Sequence, residues 1–319
     1  MENTQHPSAV FREKYYLTDG GLETTLIFNK GFSLNSFAAF ELLKTEAGRK
    51  AFEEYFQPYQ SLAEQYQMGF VMESPTWRAN PDWGAQLGYS RDDLFALNKQ
   101  SIYFIQELTQ PFSHSLPHIV ISGNIGPRGD GYKAENRMTA DQAMQYHLEQ
   151  IKAFAAAGAD IVTAVTMTYS DEAIGIIQAA QSLQIPVVAS FTVETDGKLP
   201  GGELLHQAIE KTDQATNKYA EHFMINCAHP QHFLPQMENE GDWKNRVRGI
   251  RANASLKSHA ELDESVTLDA GDKCLLAEGY VQLFHLLPEL KVIGGCCGTD
   301  HSHLEEICKT LKEQEILTA

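Results

Sequence analysis

Val292-Ile293-Gly294-Gly295-Cys296-Cys297-Gly298 is the last strand-like run of the chain, and it ends in two adjacent cysteines set between glycines. A third cysteine closes another apolar run, Phe223-Met224-Ile225-Asn226-Cys227. Glycines on both sides of a cysteine pair let the backbone turn tightly enough to aim both sulfurs at one point. Three thiolates arriving from the ends of two strands make an incomplete zinc site. Zinc prefers four ligands, so a protein that supplies three leaves one position for water or substrate. An isolated cysteine usually packs as a small hydrophobe. Cys274 and Cys308 are read that way, since they fall in helix-like stretches away from other ligand types.

Outward from these two runs, short apolar stretches rich in β-branched residues recur along the chain and read as buried parallel strands. They are Tyr15–Thr18, Phe70–Glu73, Ile119–Asn124, Ile161–Thr166, Val187–Val193, Phe223–Cys227, Gly249–Asn253 and Val292–Cys296. Between them lie amphipathic stretches of helical period, clearest at Ala47–Gln67, Arg91–Leu108, Thr139–Ala157, Asp171–Leu183 and Cys274–Leu287. Ser90, Thr139, Ser170 and Asp300 stand where helix caps belong, and Gly69 and Gly158 where helices end. Eight strand–helix units fit a closed (β/α)8 TIM barrel, read as one domain over residues 1–319. An open nucleotide-binding sheet is set aside, because Asp19-Gly20-Gly21-Leu22-Glu23 lacks the glycine spacing of a phosphate turn. In such a barrel chemistry sits at the C-terminal ends of the strands. Polar or unusual residues collect there: Asp19, Glu73, Ser74, Asn124, Thr166, Glu194, Asn226, Cys227, Asn253, Cys296 and Cys297.

The chain has 319 residues, 43% of them hydrophobic, enough to bury a large core. A formal net charge of -17 argues against nucleic acid or an anionic membrane surface as partner. No apolar run is long enough to span a bilayer, and the polar stretch Met1 to Arg12 carries no export signal. The expected setting is a reducing cytoplasm, where free thiolates can hold metal. A monomer or small homo-oligomer is expected.

These residues together resemble the homocysteine S-methyltransferases, the zinc-dependent group that includes betaine– and S-methylmethionine–homocysteine methyltransferases. The resemblance spans nearly the whole chain. It rests on Asp19-Gly20-Gly21, Gly123-Asn124-Ile125-Gly126-Pro127, Gly158-Ala159-Asp160, Asn226-Cys227, Asn253-Ala254 and Gly294-Gly295-Cys296-Cys297-Gly298. It implies a (β/α)8 barrel with Zn2+ held by Cys227, Cys296 and Cys297. It implies transfer of a methyl group to the thiol of homocysteine, giving methionine, with no further acid–base residue strictly required. It also implies that Asp19 contacts the substrate amine and that Ser74 lies near the substrate carboxylate. The candidate substrate-binding residues are Asp19, Gly20, Glu73, Ser74, Thr166 and Asn253.

Two departures matter. Many members carry a glutamate after the fourth strand that binds the substrate amine, followed in some by a tyrosine that fills the open zinc position. Here Val165 and Thr166 occupy those places, and Glu73 is the expected replacement carboxylate. The betaine enzymes box their quaternary ammonium with aromatics. Here Arg78 stands in that region, and a cation beside a cationic donor is repulsive. Arg78 is then expected to point away from the donor or to pair with a carboxylate, Glu73 or Asp82. The C-terminal oligomerisation extension of the betaine enzymes is not expected here, which points the same way. The expected donor is a sulfonium, S-methylmethionine or S-adenosylmethionine. Three alternatives stand beside this: a different thiol acceptor, a thiol- or zinc-binding barrel without turnover, and a thiol-activating partner of a corrinoid protein. A zinc hydrolase fits less well, because no His-x-His stands at a strand end; His301 and His303 open the final helix and read as surface or supporting residues.

Overall fold

The computed structural model describes residues 10–265 and 267–317. Most of the N-terminal stretch read above for an export signal, residues 1–9, lies outside them, as do both ends of the 1–319 span. Eight strands form: β1 Tyr16–Leu17, β2 Gly69–Glu73, β3 Ile119–Ile125, β4 Ile161–Met167, β5 Val187–Phe191, β6 Phe223–Asn226, β7 Val247–Ala252 and β8 Val292–Gly295. They pair in sequence order, all parallel, and close where Tyr16 of β1 lies beside Val292 of β8. The expected (β/α)8 barrel is what the chain builds.

The expected helices form at Glu46–Gln65, Arg91–Thr109, Ala140–Ala156, Ser170–Ser182 and Lys273–Leu286. Ser90, Thr139 and Asp300 each accept a backbone N–H of the first turn, as capping requires. Ser170 does not cap. It is the first helical residue after Tyr169, and its N–H and hydroxyl both donate to Glu203. Gly158 follows its helix at φ 79°, in the left-handed region that glycine adopts freely. Gly69 instead opens β2, where any side chain would collide with the Tyr16 ring. Gln67, at φ 52°, makes the left-handed turn there.

Strand side chains alternate between two faces. Leu17, Phe70, Ile121, Val162, Ala189, Ile225, Ile250 and Ile293 join the layer shared with the helices. The alternate residues fill the barrel interior in tiers. The lowest tier is Tyr16, Val71, Val120, Ile161, Val188, Met224 and Val292, one from every strand but β7. β7 contributes Gly249, and a Cβ there would lie 2.7 Å from Met224 Cγ. Phe11 caps this tier, edge-on to Tyr16 and His222 at 5.2 and 4.8 Å between ring centroids. Two residues further along the strands the tier turns polar: Ser122 bonds Thr163 at 2.8 Å and Ser190 bonds Asn226 at 2.6 Å. Glu73 and Arg251 belong to this tier too, in register with Ser122 and Asn226, and Asp19 stands one residue beyond Thr18 at the C-terminal mouth.

Candidate metal centre and substrate cavity

Cys227 follows β6, and Cys296 and Cys297 follow β8. Their three sulfurs all lie within 4.8 Å of one another. Cys227 takes φ 56°, a left-handed conformation uncommon outside glycine, which swings its sulfur toward the pair. Its N–H donates to Arg251 O at 3.0 Å, and its carbonyl accepts from Asn253 Nδ2 at 3.0 Å. His259 Nε2 lies 2.6 Å from the same carbonyl. Cys296 is held by its N–H to Ala252 O at 2.8 Å and by Thr299 Oγ1 donating to its carbonyl at 2.7 Å. The Asp19-Gly20-Gly21 turn packs directly against this loop: a Cβ on Gly21 would lie 2.6 Å from Cys296 O.

Sulfurs bound to one tetrahedral zinc at about 2.3 Å sit roughly 3.8 Å apart. Cys227 Sγ and Cys297 Sγ are 3.8 Å apart. Cys227 and Cys296 are in disulfide contact, with Cα atoms 5.3 Å apart. Free thiols were expected here, and the Cys227–Cys296 contact departs from that. Metal ligation needs thiolates, so the disulfide and a metal are alternative states of one donor set. Three sulfurs and no hard ligand suit zinc or another thiophilic ion. On the open side stands Tyr132 from the loop after β3, its hydroxyl 3.4 Å from Cys227 Sγ and 3.7 Å from Cys297 Sγ. Its ring lies 4.1 Å from that of His259.

The sulfurs border a cavity of about 490 Å³. Of the expected substrate-binding residues, Asp19, Gly20, Glu73, Ser74 and Thr166 line it. Asn253 does not; it supports Cys227 from behind. Thr166 sits where β4 slips register against β5, between Ala164 and Met167. Its φ of 63° is strained for a β-branched residue. Asn226 holds it there, accepting its N–H at 2.9 Å and donating to its hydroxyl at 3.0 Å. Bulges of this kind re-aim side chains beside active sites; this one turns Val165 and Thr166 into the cavity wall.

Arg251 was absent from the expected set, and it reorganises the charges. It lies buried in the barrel mouth between the two carboxylates. Its Nη2 donates to Asp19 Oδ1 at 2.6 Å and its Nη1 to Glu73 Oε2. Its Nε donates to Gly295 O at 3.1 Å. Tyr55 adds a hydrogen bond to Asp19 Oδ2 at 3.0 Å, and Asn124 Nδ2 one to Glu73 Oε2 at 3.0 Å. Burial favours the neutral guanidine, but Asp19 and Glu73 outweigh it and keep Arg251 charged. Arg251 thus stands where a substrate ammonium was expected to meet Asp19 and Glu73.

Arg78 pairs with neither of the two carboxylates offered to it. Glu73 is taken by Arg251, and Asp82 by Arg128 at 2.7 Å. Arg78 instead stacks between Trp77 and Trp83, its guanidinium carbon 3.9 and 4.0 Å from their ring centroids. Among the described residues its hydrogen bond runs from Nη1 to Gly129 O at 2.8 Å. Burial lowers its pKa to about 10, against Asp130, Tyr132 and Glu23, which favour the charged form. Glu23, another residue outside the expected set, lines the same cavity. Burial and the neighbouring Asp19 push its carboxyl up to about 7, while its own backbone N–H, Arg251 and Arg78 pull it down.

The remaining expectations divide. Cys308 is buried, with its thiol pushed up to about 12 by that burial. Cys274 is exposed in the first turn of its helix and is not a packing residue. His301 is exposed, but His303 is buried, with Nδ1 on Asp300 at 2.8 Å and Nε2 on Ala270 O at 2.8 Å. Arg251 carried a signal in the sequence. It shares a strand face with Gly249 and Asn253, so alternation aims it into the barrel. Tyr132 carried none, because its loop has no period to read.

Fold and site together define a (β/α)8 barrel enzyme with a three-cysteine centre at its C-terminal mouth. The family model for homocysteine S-methyltransferases matches residues 16–311; the chain belongs to that family and is a methyltransferase. It is 23% identical over 224 residues to homocysteine S-methyltransferase 1 of Arabidopsis thaliana, covering 66% of this chain and 67% of that one. Its backbone superposes on the metallated form of the homocysteine methyltransferase MmuM from Escherichia coli with a TM-score of 0.72 at 16% identity, covering 93% of this chain and 96% of that one. The oxidised form of MmuM gives a TM-score of 0.72 at 16% identity over 96% and 98% of the two chains.

Proposed function

We propose that this chain transfers a methyl group from a sulfonium donor, S-methylmethionine or S-adenosylmethionine, to the thiol of homocysteine, with zinc held by Cys227, Cys296 and Cys297. The observation that carries the reading is the convergence of three sulfurs at the mouth of a barrel of this family. A free alkyl thiol has a pKa near ~8.5 and is mostly protonated at neutral pH. Zinc on three thiolates would supply a fourth position that holds the acceptor sulfur as thiolate. The chain's own residues do the rest. Thr166, fixed by Asn226, and Ser74, bonded to Thr76 at 2.7 Å, shape the wall beside the sulfurs. Asp19, Gly20 and Glu73 close the acidic side, two carboxylates against the single guanidinium of Arg251. Tyr132 stands over Cys227 and Cys297 and must yield that place to the incoming thiol. Alignment of acceptor and donor along one axis lowers the barrier without an added acid or base. A sulfur–carbon bond forms, the bond to the sulfonium sulfur breaks, and its electron pair leaves on a neutral thioether.

The donor preference has its own support. Arg78 lies against one face of Trp77 and one face of Trp83, so the place between the two rings already holds a cation and does not box a quaternary ammonium. The test is methionine formation by zinc-loaded protein across a matrix of donors and thiols. Turnover with a sulfonium and homocysteine is expected. Turnover from betaine and neither sulfonium would reject the donor. Zinc without turnover for any pair would reject the activity.

A further inference from the structure

Resting on that reading of the cavity, we infer that Glu23 and Arg78 form a clamp for the zwitterionic head of an α-amino acid. Both residues line the cavity. Glu23 makes no hydrogen bond or ion pair to another side chain among the described residues. Arg78 is 6% exposed and has no ion-pair partner among them either. Both face the one cavity, each within range of the other's charge, and they are not joined by an ion pair. Asp130 also lines the cavity and favours the charged form, but no described carboxylate lies within ion-pair distance of Arg78 and its Nε has no hydrogen-bond partner among the described residues. Burial in that state is costly, and stacking on two indoles offsets only part of the cost. The missing partner is an anion that enters with the ligand. Glu23 calls for a cation in the same way, because the nearby Asp19 and Glu73 already share Arg251. A ligand bearing one ammonium and one carboxylate on adjacent atoms satisfies both at once. Arg78 takes the carboxylate and Glu23 the ammonium, while Val165 leaves the wall after β4 uncharged.

Homocysteine and S-methylmethionine both carry such a head, and kinetics separate them. Each substrate is varied in turn for the zinc-loaded protein, Glu23→Gln and Arg78→Met, with melting curves to verify folding. Glu23→Gln is expected to raise KM for one amino-acid substrate about tenfold or more, the loss of one charge-assisted hydrogen bond. It should leave KM for the analogue lacking the ammonium within about twofold. Arg78→Met should spare the analogue lacking the carboxylate in the same way. An effect on homocysteine but not on 4-mercaptobutanoate places the head on the acceptor. An effect on S-methylmethionine but not on 4-(dimethylsulfonio)butanoate places it on the donor. Unchanged KM for both substrates, or equal loss for a substrate and its des-amino analogue, overturns the clamp. If Arg78→Met does not fold, Glu23→Gln decides alone. Absence of turnover in the wild type would reject methyl transfer, and the clamp is then read by calorimetry with L-homocysteine and S-methylmethionine. About tenfold weaker binding to Glu23→Gln supports it, whereas equal affinity, or no binding to the wild type, overturns it.

Discussion

The two ends of the barrel interior are built from the same strands and do opposite work. At the N-terminal end, Ile161, Val188, Met224 and their neighbours meet as close-packed apolar side chains. At the C-terminal end, in the polar tier and one residue beyond it, Glu73, Arg251 and Asp19 form a buried salt-bridged group. Burial of apolar area stabilises a fold directly. Burial of ions gains little net stability, since desolvation cancels most of the attraction. The lower tier therefore holds the barrel closed, and the upper tier fixes charge and shape around the sulfurs.

Removing Arg251 should break that comparison hardest. Arg251→Met leaves two buried carboxylates facing each other and is expected to cost about 3–5 kcal/mol, with activity lost. Urea unfolding and turnover measure the two effects. A well-folded, active Arg251→Met would mean that the upper tier is not an interdependent ion cluster. Ile161→Ala in the lower tier should cost about 2–5 kcal/mol of stability and leave KM unchanged at temperatures well below melting. A shift in KM there would show that the two ends are coupled.

The smallest expected effect is a pH dependence at Glu23. Its carboxyl is pushed up to about 7 in the fold by burial and Asp19, against an ordinary 4.5. Below about 4.5 it is protonated in both folded and unfolded states, and Gln is a fair mimic. As pH rises from about 4.5 to about 7 the unfolded state ionises first, so the native state loses stability over that window. Melting temperatures of the wild type and Glu23→Gln in the apo form should coincide near pH 4.5 and separate as pH rises, with the variant the more stable. A constant difference across the window would contradict the placement of Glu23 beside Asp19.

Much of the barrel was legible because a buried parallel strand is a continuous apolar run, and eight such runs stand out against amphipathic helices. The sulfur centre was legible because its glycine-flanked pair is local in sequence. Strand ends were less so: β4 runs through a register slip to Met167, and β7 begins at Val247, upstream of the expected Gly249. The charge pattern was hidden because its partners are remote. Asp19 and Arg251 are 232 positions apart, and only closure of the barrel makes them neighbours. Glu73 was picked out as a free carboxylate for the same reason; nothing beside it in the chain announces Arg251. Glu23 reads as an ordinary first-turn acid until the short helix at Leu22–Thr24 is seen to border the cavity.

The central claim is that Cys227, Cys296 and Cys297 form one metal centre on which thiol methylation depends. Metal content of the reduced protein and of Cys297→Ala, measured beside methionine formation from homocysteine, tests it most directly. The account predicts close to one zinc per chain in the wild type, with both zinc and activity lost in the variant. A Cys297→Ala protein that retains its zinc would contradict it.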